Sequence, residues 1–172
     1  EVRIFYLDTQ RSAVIARVPA GAGNLTWSPD GRTLAFQSFV AESTDDPAAL
    51  PPQPEGAQWA EPARVINGVV FRADGEGYLP NGFAQIFVVP ADGGTPRQLT
   101  YQARNHDGRL SWSPNGRMLY FSANAEDGWE YDPVEADIYS LDITSGAVTR
   151  LTTRDGPENS PVVSPDGRRI AY

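Results

Sequence analysis

A chain of 172 residues with 40% hydrophobic and 21% charged residues is long enough for one packed domain, or part of one, and too apolar for wholesale disorder. Its 16 Gly and 15 Pro leave little room for long helices, and no apolar run nears the ~18 residues of a membrane span, so no membrane partner is expected. Fourteen basic residues, all Arg, against 22 acidic ones give a net charge of −8, which argues against a nucleic-acid partner, and the absence of Cys removes disulfides, thiolate metal sites and Cys nucleophiles.

In chain order, Arg3–Asp8 and Ala13–Ala16 read as two strands, aromatic and β-branched and bounded by turn residues. Trp27-Ser28-Pro29-Asp30-Gly31-Arg32 follows, with the short apolar run Thr33–Phe36 behind it. Pro presets the first corner of a tight turn, Asp fits the second, and Gly takes the left-handed position, so the segment predicts a hairpin. Gln85–Pro90, the turn Ala91–Gly94 and Arg97–Thr100 supply two more strands. The set then recurs: Trp112-Ser113-Pro114-Asn115-Gly116-Arg117 with Met118–Phe121, Asp137–Asp142, the turn Thr144–Gly146, and Arg150–Thr152. Val163-Ser164-Pro165-Asp166-Gly167-Arg168 and Arg169–Tyr172 open it a third time.

Four antiparallel strands repeated about every 40 to 50 residues predict an all-β fold, a partial β-propeller of about three to four four-stranded blades from a disc of about six to eight. The units read as the end of a blade at 1–20, a blade at 24–100, a blade at 105–152 and the start of the next at 160–172. Residues 41–84 read by preference as a long insertion between second and third strands, and alternatively as hiding a decayed copy of the tryptophan motif at Val69–Gly75. Glu1 opens the chain without an initiator Met, so the start reads as excised, and the half-blades at both ends predict that the remainder of the propeller is missing.

No hydrolytic machinery is assembled in these residues. The single His, His106, lies in the polar run Gln102–Gly108 and reads as an ordinary loop residue, and no Gly-x-Ser-x-Gly elbow occurs. No cofactor is called for and no metal site is expected. Trp27, Trp112 and Val163 occupy one repeat position and read as packing between blades. Trp59 and Trp129 lie outside the repeat. Trp129 sits in the stretch 126–137, which holds six carboxylates and reads as a solvated loop, as a surface for a peptide amine, an Arg or a partner domain, or as a calcium site lacking calcium-loop spacing. In a four-stranded meander, the loops 41–84 and 123–136 and the His106 connection share one face of the disc, and the Ser-Pro-Asp-Gly turns occupy the other.

The Trp-Ser-Pro-Asp-Gly hairpins, the Ile-Phe and Ile-Tyr strands and the Arg-x-Leu-Thr ends resemble the TolB-type propeller repeat. Phe71–Leu79 followed by Gln85–Val89 and Arg97–Thr100, with Glu130-Tyr131-Asp132-Pro133 ahead of Asp137-Ile138-Tyr139, is similar to the propeller of prolyl-oligopeptidase-family serine peptidases, in the acylaminoacyl-peptidase and dipeptidyl-peptidase branch. That resemblance implies a propeller capping a C-terminal α/β-hydrolase domain and filtering short peptides toward a Ser-Asp-His triad, none of which can be placed in this chain. The implied partners are the rest of the propeller, the hydrolase domain and short peptides, and a homo-oligomer is compatible with it. Trp59, Glu61, Arg64, Trp129, Glu130 and Tyr131 are the candidate substrate- or partner-facing residues. The alternative is a TolB-like, non-enzymatic, protein-binding propeller of the periplasm.

Overall fold

The computed structural model describes residues 1–42, 52–60, 65–66, 68–106 and 108–172. Its first strands, β1 (Val2–Tyr6) and β2 (Arg11–Ala16), form a two-stranded antiparallel sheet. The first strand stops two residues short of the Asp8 limit read from sequence, because Leu7–Gln10 turn back and Gln10 adopts φ 52°. Next come β3 (Gly23–Trp27), β4 (Thr33–Ala41), β7 (Gly82–Pro90) and β8 (Arg97–Gln98), joined in that order as one four-stranded sheet, the first complete blade. Between β4 and β7 the register runs from Thr33↔Pro90 to Ala41↔Gly82, so residues 42–81 leave and return between adjacent strands. Within that stretch β5 (Arg72–Ala73) and β6 (Gly77–Tyr78) form a small hairpin of their own. The second complete blade orders β9 (Ser111–Trp112), β10 (Met118–Ala123), β11 (Asp137–Asp142) and β12 (Val148–Arg150), and β13 (Val162–Val163) pairs with β14 (Ile170–Ala171) in a last half-blade.

The middle strands are apolar on both sides because both faces of each blade are covered. Along β4, Leu34 and Phe36 join Val2, Ile15, Ala16 and Val89 in one core against β1 and β2. Ala35 points the other way, with Ile86 and Val88, into a core shared with Leu110, Trp112, Leu119, Phe121, Tyr139 and Leu141 of the second blade. Phe36 and Phe87 stack at 5.6 Å, and a fully buried ring of that size contributes roughly 1.5–3 kcal/mol over an exposed one. First strands lie next to one another, β3 beside β9 and β9 beside β13, as inner strands of a β-propeller do.

The hairpins share one hydrogen-bond set. Ser28 Oγ donates to Asp30 Oδ1 at 2.6 Å and accepts from the Thr33 amide at 2.9 Å, and the Gly31 amide donates to the Ser28 carbonyl. Asn115 replaces Asp in the second copy and its Oδ1 accepts from Ser113 Oγ at 2.7 Å in the same way, while Asp166 repeats the pattern in the third. Gly31, Gly116 and Gly167 take φ 68°, 68° and 70°, the left-handed geometry that the motif requires. Space at Gly116 is bounded by Pro29 and at Gly167 by Pro114, so successive turns stack along one rim.

The shared tryptophan position divides. Trp112 is buried and its Nε1 donates to the Thr26 carbonyl of the first blade at 3.3 Å. Trp27, expected to pack between blades as well, is 47% exposed. Among the described residues, the neighbour that β3 provides for Trp112 has no counterpart beside Trp27, where the adjoining sheet consists of β1 and β2.

Candidate functional site

The connecting loops meet on the rim opposite the turns. Trp129–Tyr131 forms one turn of 3-10 helix, entered through Gly128 at φ 78°. The Trp129 ring meets Phe83 of β7 edge-on at 6.3 Å, and Glu130 Oε2 accepts the Val69 amide at 2.9 Å, which draws the 42–81 connection onto the second blade. Between these segments and the connection after β12 lies a groove of about 430 Å³, lined by Val70, Asn105, Trp129, Val134, Glu135 and Asn159 among others.

Most of the acidic stretch binds the chain's own donors. Arg150 pairs with Glu126 at 2.6 Å and with the buried Asp137 at 2.5 Å. Burial opposes the Arg150 charge, but the bonds to Glu126 and Asp137 outweigh it and hold the guanidinium above its ordinary pKa. Glu135 Oε2 accepts the Gly156 amide at 2.8 Å, so with Glu130 four of the six carboxylates are engaged internally. Among the described residues no group of three or more His, Asp or Glu converges as metal ligands.

The candidate residues therefore separate. Trp129 is half-buried against Phe83 beside the groove, Glu130 is spent on a backbone amide, and Tyr131 is 81% exposed on the outer side of the 3-10 turn. Trp59 is exposed on the 42–81 connection. Glu61 and Arg64 lie outside the described residues.

His106 departs from the loop reading: it is 1% exposed. Its amide donates to the Ala84 carbonyl, and its own carbonyl accepts from Gln37 Nε2 at 2.6 Å; the same Gln37 nitrogen reaches the Gly108 carbonyl at 3.0 Å. The ring lies 5.5 Å from Phe121, which stacks on Tyr139 at 5.7 Å. Burial, with the nearby Arg104 charge, pushes the imidazole pKa down to about 4 against the pull of the Ala84 and Arg104 carbonyls. Polar neighbours in sequence concealed this. The available signal was register: Glu158 donates its amide to Ala136 at the matching place in the second blade, and it too is buried.

Residues 68–172 match the family described as Dipeptidyl peptidase IV (DPP IV) N-terminal region. An uncharacterized protein, Atu1656, of Agrobacterium fabrum is 29% identical over 99% of this chain and 57% of its own length. An uncharacterized peptidase, YuxL, of Bacillus subtilis is 28% identical over 62% of the chain and 16% of its own length. Of these two relatives the chain thus spans just over half and about a sixth. Among solved structures, TolB from Acinetobacter baumannii aligns with a TM-score of 0.60 at 18% identity, covering 98% of this chain and 30% of that one. An acylaminoacyl peptidase in complex with Z-Gly-Gly-Phe-chloromethyl ketone aligns with a TM-score of 0.59 at 14% identity, covering 88% and 21%. Stacked four-stranded blades, repeated turns and this match place the chain in the DPP IV N-terminal region family, a β-propeller of the kind found in peptidase-type and TolB-like proteins.

Proposed function

We propose that this propeller belongs to a serine peptidase and that its loop rim faces the peptide or the α/β-hydrolase domain, admitting short peptides to a triad carried elsewhere in the polypeptide. The observation that carries the reading is the groove beside Trp129, built where the 42–81 connection, the β10–β11 loop and the blade-to-blade connections meet. Apolar Val70, Trp129 and Val134 offer contact area there, and the Asn105 and Asn159 amides offer polar bonds for a peptide backbone. In this reading Trp129 and Tyr131 make the contacts, Trp59 extends the surface, and Glu130 keeps the 68–70 segment in position. Membership of the DPP IV N-terminal region family and the likeness to the peptidase YuxL support it.

The test is hydrolysis of short peptide p-nitroanilides by the full-length polypeptide, with and without a serine-directed fluorophosphonate. Turnover that the fluorophosphonate abolishes is expected, and Trp129→Ala is expected to lower kcat/KM about tenfold, ~1.4 kcal/mol, with a smaller effect on stability. An inert full-length protein that captures a protein partner overturns the peptidase reading in favour of a TolB-like scaffold. A large loss of Tm with unchanged kinetics makes Trp129 a packing residue only.

A further inference from the structure

A second cavity, of about 210 Å³, shares no lining residue with the groove. It opens between the second complete blade and the connection that joins the two blades. Gln102, Arg104 and His106 come from their connection, Phe121 from β10, Tyr139 from β11 and Val148 from β12. Among the described residues, two of its polar groups have no hydrogen-bond partner, His106 Nδ1 and the Tyr139 hydroxyl, in residues only 1% and 6% exposed. Orphaned buried polar atoms are uncommon in native proteins, and each costs about 1–3 kcal/mol, so a pair of them in one cavity points to an occupant. The volume is also several times the ~30 Å³ that one water occupies.

The lining defines the chemistry. Arg104 is half-buried, its Nη1 makes one long bond of 3.4 Å to the Ala125 carbonyl, and it forms no ion pair among the described residues. Arg104 lines the same cavity as both orphaned groups. Phe121, Ala123 and Val148 supply apolar wall. One uncommitted cation and a phenol donor suit a singly charged anion better than a phosphate dianion, because Arg150, the next cation, is already paired with Glu126 and Asp137. A short apolar tail fits the remaining wall.

We propose that this cavity binds a small monocarboxylate, with its carboxylate on Arg104 and the Tyr139 hydroxyl and its apolar tail against Phe121 and Val148. The site shares no lining residue with the groove and does not depend on the peptidase reading. Two sources share this chemistry, a free short-chain acid and the C-terminal carboxylate of a peptide, and butyrate and N-acetylvaline represent them. Each is titrated into the full-length polypeptide by saturation-transfer NMR and thermal unfolding, with butyramide and inorganic phosphate as controls.

Saturable binding of butyrate or N-acetylvaline, with a rise in Tm, is expected. Butyrate binding identifies the free acid as the source, and binding of N-acetylvaline alone identifies the peptide terminus. Arg104→Gln is expected to weaken binding about tenfold and Tyr139→Phe about fivefold, in line with loss of a charged and a neutral hydrogen bond. Both variants keep the apolar wall, and an unchanged circular-dichroism spectrum verifies that they fold. No saturable binding by either acid, which is the result for a cavity holding water only, overturns the proposal. So does equal binding of butyramide or phosphate, or an affinity that Arg104→Gln leaves unchanged.

Discussion

The two complete blades share one plan and settle one shared position differently. In the first, Thr100 Oγ1 accepts the Ile86 amide at 2.9 Å and donates to the Gln85 side chain at 2.6 Å. In the second, Thr152 Oγ1 accepts the Ile138 amide at 2.9 Å and donates to Asp137 Oδ1 at 3.3 Å. The backbone device is the same, but one blade closes it with a neutral amide and the other with a carboxylate. The carboxylate is buried, so it requires a counter-charge, and Arg150 answers it and in turn engages Glu126. Two paired differences within the repeat, Asp137 for Gln85 and Arg150 for Gln98, thus account for an ion-pair cluster that the first blade lacks among the described residues.

The sharpest way to break the comparison is at the tryptophans. Trp112→Ala removes a buried indole and the bond to Thr26, and is expected to cost about 3–5 kcal/mol in urea unfolding of the chain. Trp27→Ala, at the same repeat position but half exposed, is expected to cost under about 1 kcal/mol. Equal costs would show that the flanks of the two blades are covered alike.

Next in size is the charged clasp. Arg150→Met leaves Asp137 buried without its cation and is expected to cost about 3 kcal/mol, at the low end for a buried pair because Arg150 is partly exposed. In an Asp137→Asn background, which makes the second blade neutral like the first, the same substitution is expected to cost under about 1 kcal/mol. A cost that does not change with the background would remove Asp137 as the reason for Arg150.

What was legible in the sequence was what the chain decides locally. Ser-Pro-Asp-Gly closes its own turn through atoms no more than five residues apart, and the short apolar runs along β4 and β7 follow from cover on both faces, so strands and fold class could be read directly. The loop rim is decided at long range. Gln37 reaches His106 across 69 residues and Glu130 reaches Val69 across 61, and neither side chain carries a mark in its own neighbourhood. The same holds for the acidic stretch, whose composition fitted a solvated loop, an amine surface or a calcium site, whereas its geometry gives Arg150 and two backbone amides as partners. Trp129 was singled out for lying outside the repeat, and it does sit beside the groove, but the rings that bury His106 belong to strands read only as repeat core.

His106 supplies the last and smallest effect, and it separates the blades by pH. Its counterpart in the second blade is Glu158, so of these two matching positions only the first holds an imidazole. The charged and titratable groups acting on the ring among the described residues come down to Arg104, whose charge adds to burial in holding the pKa at about 4 against the ordinary 6.5. Between those values the unfolded chain binds a proton that the folded chain refuses, so stability is complete above pH 6.5 and falls as the pH drops toward 4. From pH 6.5 to 5 the loss is expected to be about 2 kcal/mol. Asp30, Asp142 and Asp166, held below the usual carboxylate range by hydrogen bonds in their turns, add their own losses only at lower pH. With a single histidine in the chain, His106→Gln is expected to flatten the decline across that window in urea unfolding, and an undiminished slope in the variant would mean that the imidazole is not the group that the second blade's Phe121 and Tyr139 keep neutral.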